Sequence, residues 1–238
     1  GTLGRLLQAE VILTHATGPK GATQQAGPMA VLNPIADRLR GDEVPCEICL
    51  EASQPTAAAE ALSRREAPDL FVVSSSRVRG LDNFLVGSTA RRILRAVPGS
   101  VLVATDKPFR ALSSMLVAID VDDPDAAAIR WAGRLAHDFA RVTALGVVPK
   151  GATVARLTEA TTRLRAHVQR VLGREVPSNW MVRPIAAASA QEGILSAAVG
   201  HDLVVLTSHG RSGLARFLEG SVAEELVRAC PVSVLVAR

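Results

Sequence analysis

Tyrosine is absent from this chain, and the other aromatics are scarce: two tryptophans and five phenylalanines in 238 residues. Proteins that grip single-stranded nucleic acid interleave cations with stacking rings, so this composition argues against nucleic acid as a partner. Charge argues the same way. The formal +4 is spread evenly, with 13 Lys+Arg against 11 Asp+Glu in residues 1–110 and 14 against 12 in residues 111–238, and neither half is a basic arm. No apolar run approaches the roughly 20 residues a membrane helix requires, and no charged stretch leads into an apolar signal core. We expect a soluble, cytoplasmic protein with no membrane partner. Cysteine is scarce as well: Cys46, Cys49 and Cys230 are too few for a disulfide framework and suit a reducing compartment. Cys46-Glu-Ile-Cys49 has the spacing of half a zinc site or a redox pair. It sits in a strand-like segment, however, where residues three apart face opposite sides, and no second pair completes four ligands. The expectation is buried apolar thiols and no metal site. HExxH, a Walker lysine motif and a Ser/His/Asp order are also missing, so no catalytic residue is assigned.

What the chain does contain is a repeat. A shift of 133 residues lays Asp69-Leu-Phe-Val-Val-Ser-Ser-Ser-Arg-Val-Arg-Gly-Leu-Asp-Asn-Phe-Leu-Val-Gly-Ser88 on Asp202-Leu-Val-Val-Leu-Thr-Ser-His-Gly-Arg-Ser-Gly-Leu-Ala-Arg-Phe-Leu-Glu-Gly-Ser221 without a gap. The register continues from Arg95-Ala-Val-Pro-Gly-Ser-Val-Leu-Val-Ala104 to Arg228-Ala-Cys-Pro-Val-Ser-Val-Leu-Val-Ala237. Two copies of a domain in tandem account for this length: residues 1–105, a linker over 106–114, and residues 115–238.

Hydrophobic spacing in the second copy predicts strands at 115–119, 142–148, 180–185, 203–206 and 232–236. Helices alternate with them, the first opened by Asp123 as N-cap and Pro124 at the first helical position and running to about 139, the others at 154–172, 191–199 and 221–229. Strict alternation of strand and helix means a doubly wound parallel sheet with helices on both faces. The first copy has the same order from the end of a first helix at 3–8 onward, through strands at 11–16, 46–50, 70–73 and 101–104. No residues precede Gly1 that could supply its first strand, and we expect upstream residues or another segment to fill that slot.

The second copy's long repeated stretch builds a phosphate cradle. A strand ends in a loop whose glycines let backbone N–H groups approach phosphate oxygens, and the helix that follows offers a partially positive N-terminus. Ser221-Val-Ala-Glu224 is also a capping box, which explains Ser221 equally well; a capped N-terminus still offers its other N–H groups to an anion. Asp120 ends the first strand of the second copy, at the carboxyl edge where open parallel sheets bind ligands, although Asp120, Asp122 and Asp123 also read as turn and cap residues. His209 lies in the loop, where a lone histidine reads as a solvated turn residue.

Thr207-Ser-His-Gly210, nine residues, then Gly220-Ser221 resembles the nucleotide motif of the universal stress protein family, which reads Gly, two residues, Gly, nine residues, Gly, then Ser or Thr. The likeness covers nearly the whole chain. It implies the adenine-nucleotide α-hydrolase-like fold, with five strands per copy in the order 3-2-1-4-5 and the fifth strands of the two copies paired at 101–104 and 232–236. That arrangement is a pseudo-dimer within one chain, with further homodimerisation open. It also implies a stress-response role and ATP or another adenine nucleotide, with or without magnesium, as the ligand of the second copy. The implied contact residues are Asp120, Val147, Leu206, Thr207, His209, Gly210, Gly220, Ser221 and Val222. Thr207 departs from the motif's opening glycine; the threonine is harmless if an extended backbone suffices there and harmful if a positive φ is needed. In the first copy Ser74, Arg77, Gly87 and Ser88 hold the corresponding positions, and Arg77 crowds the loop where the second copy has Gly210. The first copy is therefore expected to be structural. Two alternatives stay open: a nucleotide-free interaction module of the same family, and an enzyme cleaving the α–β phosphate bond, for which the expected glycine-rich loop is missing at Asp120-Val-Asp-Asp.

Overall fold

A computed structural model describes residues 1–18, 26–74, 87–105, 112–121, 126–207 and 222–238. The chain divides into two compact units, Gly1–Pro68 with Arg92–Val97, and Asp69–Arg91 with Pro98–Arg238.

The first unit carries helix α1 (Thr2–Leu7), strand β1 (Val11–Ala16), helix α2 (Ala26–Gly41), strand β2 (Cys46–Glu51) and helix α3 (Pro55–Glu66). Its two strands form a parallel pair from Val11 opposite Cys46 to Ala16 opposite Glu51. Pro55 opens α3 at a position where a missing N–H costs nothing.

The second unit begins with β3 (Leu70–Ser74). Helix α4 (Ser88–Ala96) follows, its first turns in this unit, and then come β4 (Ser100–Ala104), β5 (Ser114–Ala118), α5 (Ala127–Leu135) and β6 (Arg141–Pro149). The unit continues with α6 (Val154–Leu172), β7 (Trp180–Ala187), α7 (Ala190–Ala198), β8 (Leu203–Thr207), α8 (Val222–Ala229) and β9 (Ser233–Ala237). Its seven strands run in the order β3-β4-β9-β8-β5-β6-β7. Numbered within the second copy, the last five read 3-2-1-4-5 from the far edge inward, as the resemblance implies. All neighbours are parallel except β4 and β9, which are antiparallel. Short runs such as Val-Leu-Val become strands because β-branched side chains suit a pleated surface, and continuous rather than alternating apolarity marks burial on both faces. Met115, Leu116, Val117, Leu203, Val204 and Val205 are accordingly sealed from solvent. Helices α5 and α6 pack together, and α7 packs on α8 and on β5, β6 and β7.

The antiparallel junction has an internal twofold logic. Val101 faces Val236, Leu102 faces Leu235 and Val103 faces Val234. Leu102 and Leu235 are repeat equivalents, so the pair marks a pseudo-dyad. The same relation governs the flanking serines, also repeat equivalents. Ser100 Oγ accepts from the Arg238 backbone N–H at 3.1 Å, and Ser233 Oγ accepts from the Thr105 N–H at 3.1 Å. Trp131 breaks the symmetry, because its indole N–H donates to Ser100 Oγ at 2.9 Å in a buried position.

Two expectations need correction. Helix α5 starts at Ala127, not at the Asp123–Pro124 pair, because Ala126 adopts φ +49°, outside the right-handed helical region. Cys46 and Cys49 are half-buried rather than buried. The Cys49 thiol lies 3.2 Å from Arg65 Nη2 and 3.4 Å from Glu51 Oε1, within the Arg65–Glu51 ion pair. Burial, with the neighbouring carboxylate second, pushes the Cys49 thiol above its usual range.

Candidate functional site

The strand order places a topological switch point between β5 and β8: the chain leaves β5 toward β6 on one side and returns from β7 to β8 on the other. Open parallel sheets bind ligands in the crevice at the carboxyl ends of such strands. Of the nine residues assigned from the sequence, Asp120, Val147, Leu206 and Thr207 are brought to this edge. Ala118 pairs with Leu145, and the ladder runs one residue beyond β5 where the Ile119 N–H donates to the Leu145 carbonyl at 2.9 Å. Continuing that register sets Asp120 opposite Val147. Val117 pairs with Val205, so Leu206 and Thr207 follow at the same height on the neighbouring strand. Asp120 is exposed, Val147 and Thr207 are half-buried, and Leu206 is buried.

Thr207 is the last residue of β8 and pairs with Ala237. It is not among the residues with positive φ, so the backbone here is extended and a β-branched residue fits without strain. Of the two outcomes for the threonine-for-glycine departure, the conformational penalty is removed and only the bulk of the side chain remains. His209, Gly210, Gly220 and Ser221 lie outside the described residues, as do Arg77, Asp123 and Pro124; of Val222 only its place as the first residue of α8 is described.

Sequence reasoning misses two glycines that shape this edge. A Cβ added to Gly146 would meet Leu164 Cδ2 of α6 at 3.2 Å, and one added to Gly193 of α7 would meet Val147 Cγ2 at 2.9 Å and Cγ1 at 3.1 Å. Consecutive strand residues face opposite sides, so α6 and α7 cover opposite faces of β6, and Val147 owes its position to the missing side chain at Gly193. The signal was a glycine inside a strand and another inside a helix. Ser189, the N-cap of α7, fixes the helix start by accepting from the Glu192 N–H at 3.1 Å.

At the opposite end of the strands, His201 bridges two elements. Its Nδ1 lies 2.8 Å from the Ala197 carbonyl and its Nε2 lies 2.9 Å from Thr143 Oγ1. A carbonyl only accepts, so Nδ1 carries the proton and Nε2 accepts from the hydroxyl. Burial holds its pKa below the usual histidine value. This histidine is structural and remote from the carboxyl edge. In the first unit a cavity of about 270 Å³ is lined, among the described residues, by His15, Gly27, Pro28, Val31 and Leu32, which supply no fixed cation for a phosphate. Among the described residues no group of His, Cys, Asp and Glu is arranged to hold a metal, and no helix is long and apolar enough to cross a membrane.

The fold, the repeat and the switch-point edge can be set beside known proteins. A family model described as the universal stress protein family matches residues 5–105 and again residues 112–238. The chain belongs to the universal stress protein family. As a tandem universal stress protein it is similar in fold to a universal stress protein of Archaeoglobus fulgidus DSM 4304, at 17% identity and a TM-score of 0.74, covering 98% of this chain and 90% of that one. It is also similar to a protein of unknown function from Pseudomonas aeruginosa PAO1, at 19% identity and a TM-score of 0.69, covering 97% and 82%. At these identities the likeness concerns the fold. No curated protein matches the chain.

Proposed function

We propose that this universal stress protein is a stress-linked regulatory module that binds an adenine nucleotide, ATP in the first instance, at the carboxyl edge of its second copy, with the first copy serving as a structural partner. The observation that carries the reading is the convergence of Asp120, Val147 and Thr207 at the switch point, immediately ahead of the loop that contains the family motif. In this reading Asp120 accepts from the ribose, Val147 and Leu206 provide apolar surface near the base, and Thr207, His209 and Gly210 lead into the phosphate-binding loop. Gly220, Ser221 and the N-terminus of α8 at Val222 complete the cradle, where free N–H groups favour an anion. The extended backbone at Thr207 suits that role. Magnesium, when present, would be held chiefly by the phosphates and water, since such an ion keeps much of its hydration shell. The reading includes no dedicated turnover, because no general base or positioned nucleophile accompanies the cradle, and it places the protein in the cytoplasm.

Mass spectrometry of small molecules released from the denatured purified protein tests it. The expected result is about one adenine nucleotide per chain, lost in Gly210→Arg, which copies the arginine of the first repeat. Added ATP should also raise the melting temperature by mass action. Retention by the variant would place the site elsewhere, absence of any thermal shift would favour an interaction module without nucleotide, and steady pyrophosphate release would restore the enzyme alternative.

A further inference from the structure

Strand β7 ends the sheet order, and its main chain is poorly placed to take another strand. The Val142 N–H donates to the Asn179 carbonyl at 2.9 Å, so alternation turns the main-chain groups of Trp180, Val182, Pro184 and Ala186 outward. The Trp180 N–H already donates to the Pro177 carbonyl at 2.9 Å, and Pro184 has none to give, which protects a sheet edge. What β7 offers instead is side chains. Thr143 pairs with Met181 and Leu145 with Arg183, on the face that α7 covers over β6. The cover is complete over β6 and incomplete over β7: Thr143 and Leu145 are 2% and 1% exposed, whereas Met181 is 47% exposed and Arg183 is exposed as well. Arg141, two positions before Thr143 on the same face, is also exposed. Its Nη2 donates to the Gly200 carbonyl at 2.8 Å, which holds the guanidinium in place and leaves its other N–H groups for an acceptor. Among the described residues no carboxylate pairs with Arg141 or Arg183. Both charges reach His201, which is tied to Thr143 on the inner side of this surface. Burial is the chief reason that this imidazole holds its proton weakly, and Arg141 and Arg183 add to it against the Ala197 carbonyl and Asp202. Asp202 Oδ2 is itself engaged, accepting from the N–H and hydroxyl groups of Ser113 and Ser114 at 2.8–3.2 Å.

We propose that Arg141, Met181 and Arg183 form a docking surface for an extended acidic peptide segment in which two carboxylate side chains bracket an apolar one. Charge selects the partner, because two cations flank the exposed methionine and the one carboxylate in their field is engaged elsewhere. Register selects the spacing. Continuing the β6–β7 ladder by one residue sets Arg141 opposite Asn179, so the two arginines are four strand positions apart, about 13 Å, with Met181 midway. An extended peptide presents residues i, i+2 and i+4 on one face over the same span: an acid, an apolar residue and an acid. Each carboxylate accepts from guanidinium N–H groups, and the apolar residue covers Met181, whose unbranched thioether adapts to the side chain it meets. The surface lies toward the amino ends of β6 and β7, away from the candidate nucleotide edge, and does not depend on it.

The test titrates the protein comprising residues 1–238 with the synthetic peptide acetyl-Ser-Glu-Ser-Leu-Ser-Glu-Ser-amide at low ionic strength, following the Met181 methyl and the His201 ring by NMR. Both signals should move along one saturation curve, and the His201 pKa should rise, because a bound carboxylate favours the imidazolium. Arg183→Gln, at an exposed position, should weaken binding about fivefold, and glycine in place of the peptide's leucine roughly tenfold. Arg183→Glu should lose the peptide and regain one of the two versions in which a single Glu is replaced by Lys. Three results overturn the proposal: no shift at Met181, equal binding of a peptide whose glutamates are adjacent rather than four apart, or equal binding by Arg183→Gln.

Discussion

The two copies share Ser-Val-Leu-Val-Ala as their last strand and treat it alike; they share Asp-Leu-x-Val as the start of their fourth strand and treat it oppositely. β4 and β9 pair with each other across a pseudo-dyad, so each supplies the other's missing edge, and the buried pattern is nearly identical in both. β8 and β3 differ in that, among the described residues, β8 has two strand neighbours and β3 has one. Local sequence makes both segments strands, and the neighbours decide burial.

The largest test of the shared half is Leu102→Ala against Leu235→Ala. Each removes a buried side chain at the dyad and should cost about 3 kcal/mol, measured by urea unfolding followed through tryptophan fluorescence. The two costs should agree within about 1 kcal/mol, and the double variant should lose less than their sum because the side chains share one contact. A clear inequality would break the symmetry. A smaller effect probes where the symmetry is already broken. Ser100→Ala strands two donors, the Trp131 indole and the Arg238 amide, and should cost about 2 kcal/mol; Ser233→Ala strands the Thr105 amide and should cost about 1 kcal/mol. Reversal of that order would mean that Trp131 contributes nothing to the junction.

Gly193→Ala sharpens the contrast on the side of the candidate site. The new methyl meets Val147 at under 3.0 Å, so something shifts, at about 1–2 kcal/mol by overpacking. Nucleotide retention should fall with it if Val147 lines the base, and unchanged retention would remove Val147 from the site. The smallest effect concerns His201, where the first copy has Pro68. A folded-state pKa below the ordinary 6.5 means that the unfolded chain takes up the proton first, so stability is complete above about pH 6.5 and declines as pH falls through the interval down to the folded value. His201→Gln should flatten that acid-side slope in urea titrations at successive pH values, and an unchanged slope would assign it to other groups.

Much of this was legible because the repeat and the strand–helix alternation are strong, redundant signals. The strand boundaries fall within about two residues of the apolar runs, and helix 154–172 begins and ends where Thr153 and Gly173 dictate, the threonine accepting from the Arg156 N–H and the glycine adopting φ +64°. The start of α5 at Ala127 is not legible, because a left-handed Ala126 leaves no trace in the sequence. The half-exposure of Cys46 and Cys49 was not legible either: they lie on a two-stranded sheet, and apolar character alone does not report how many strands flank it. At the site, Asp120 and Thr207 could be placed from strand ends, whereas Gly193 against Val147 required the crossing of α7 over β6.

The antiparallel joint between β4 and β9 gives the seven-stranded sheet a direction. Strands β5 to β9 present their carboxyl ends toward one rim; β3 and β4 present theirs toward the opposite rim. A partner approaching along the strands therefore meets the carboxyl ends of five strands at one pole and of two at the other. A repeat joined through its last strands in this way is a vectorial body, whose two sets of carboxyl ends face away from each other.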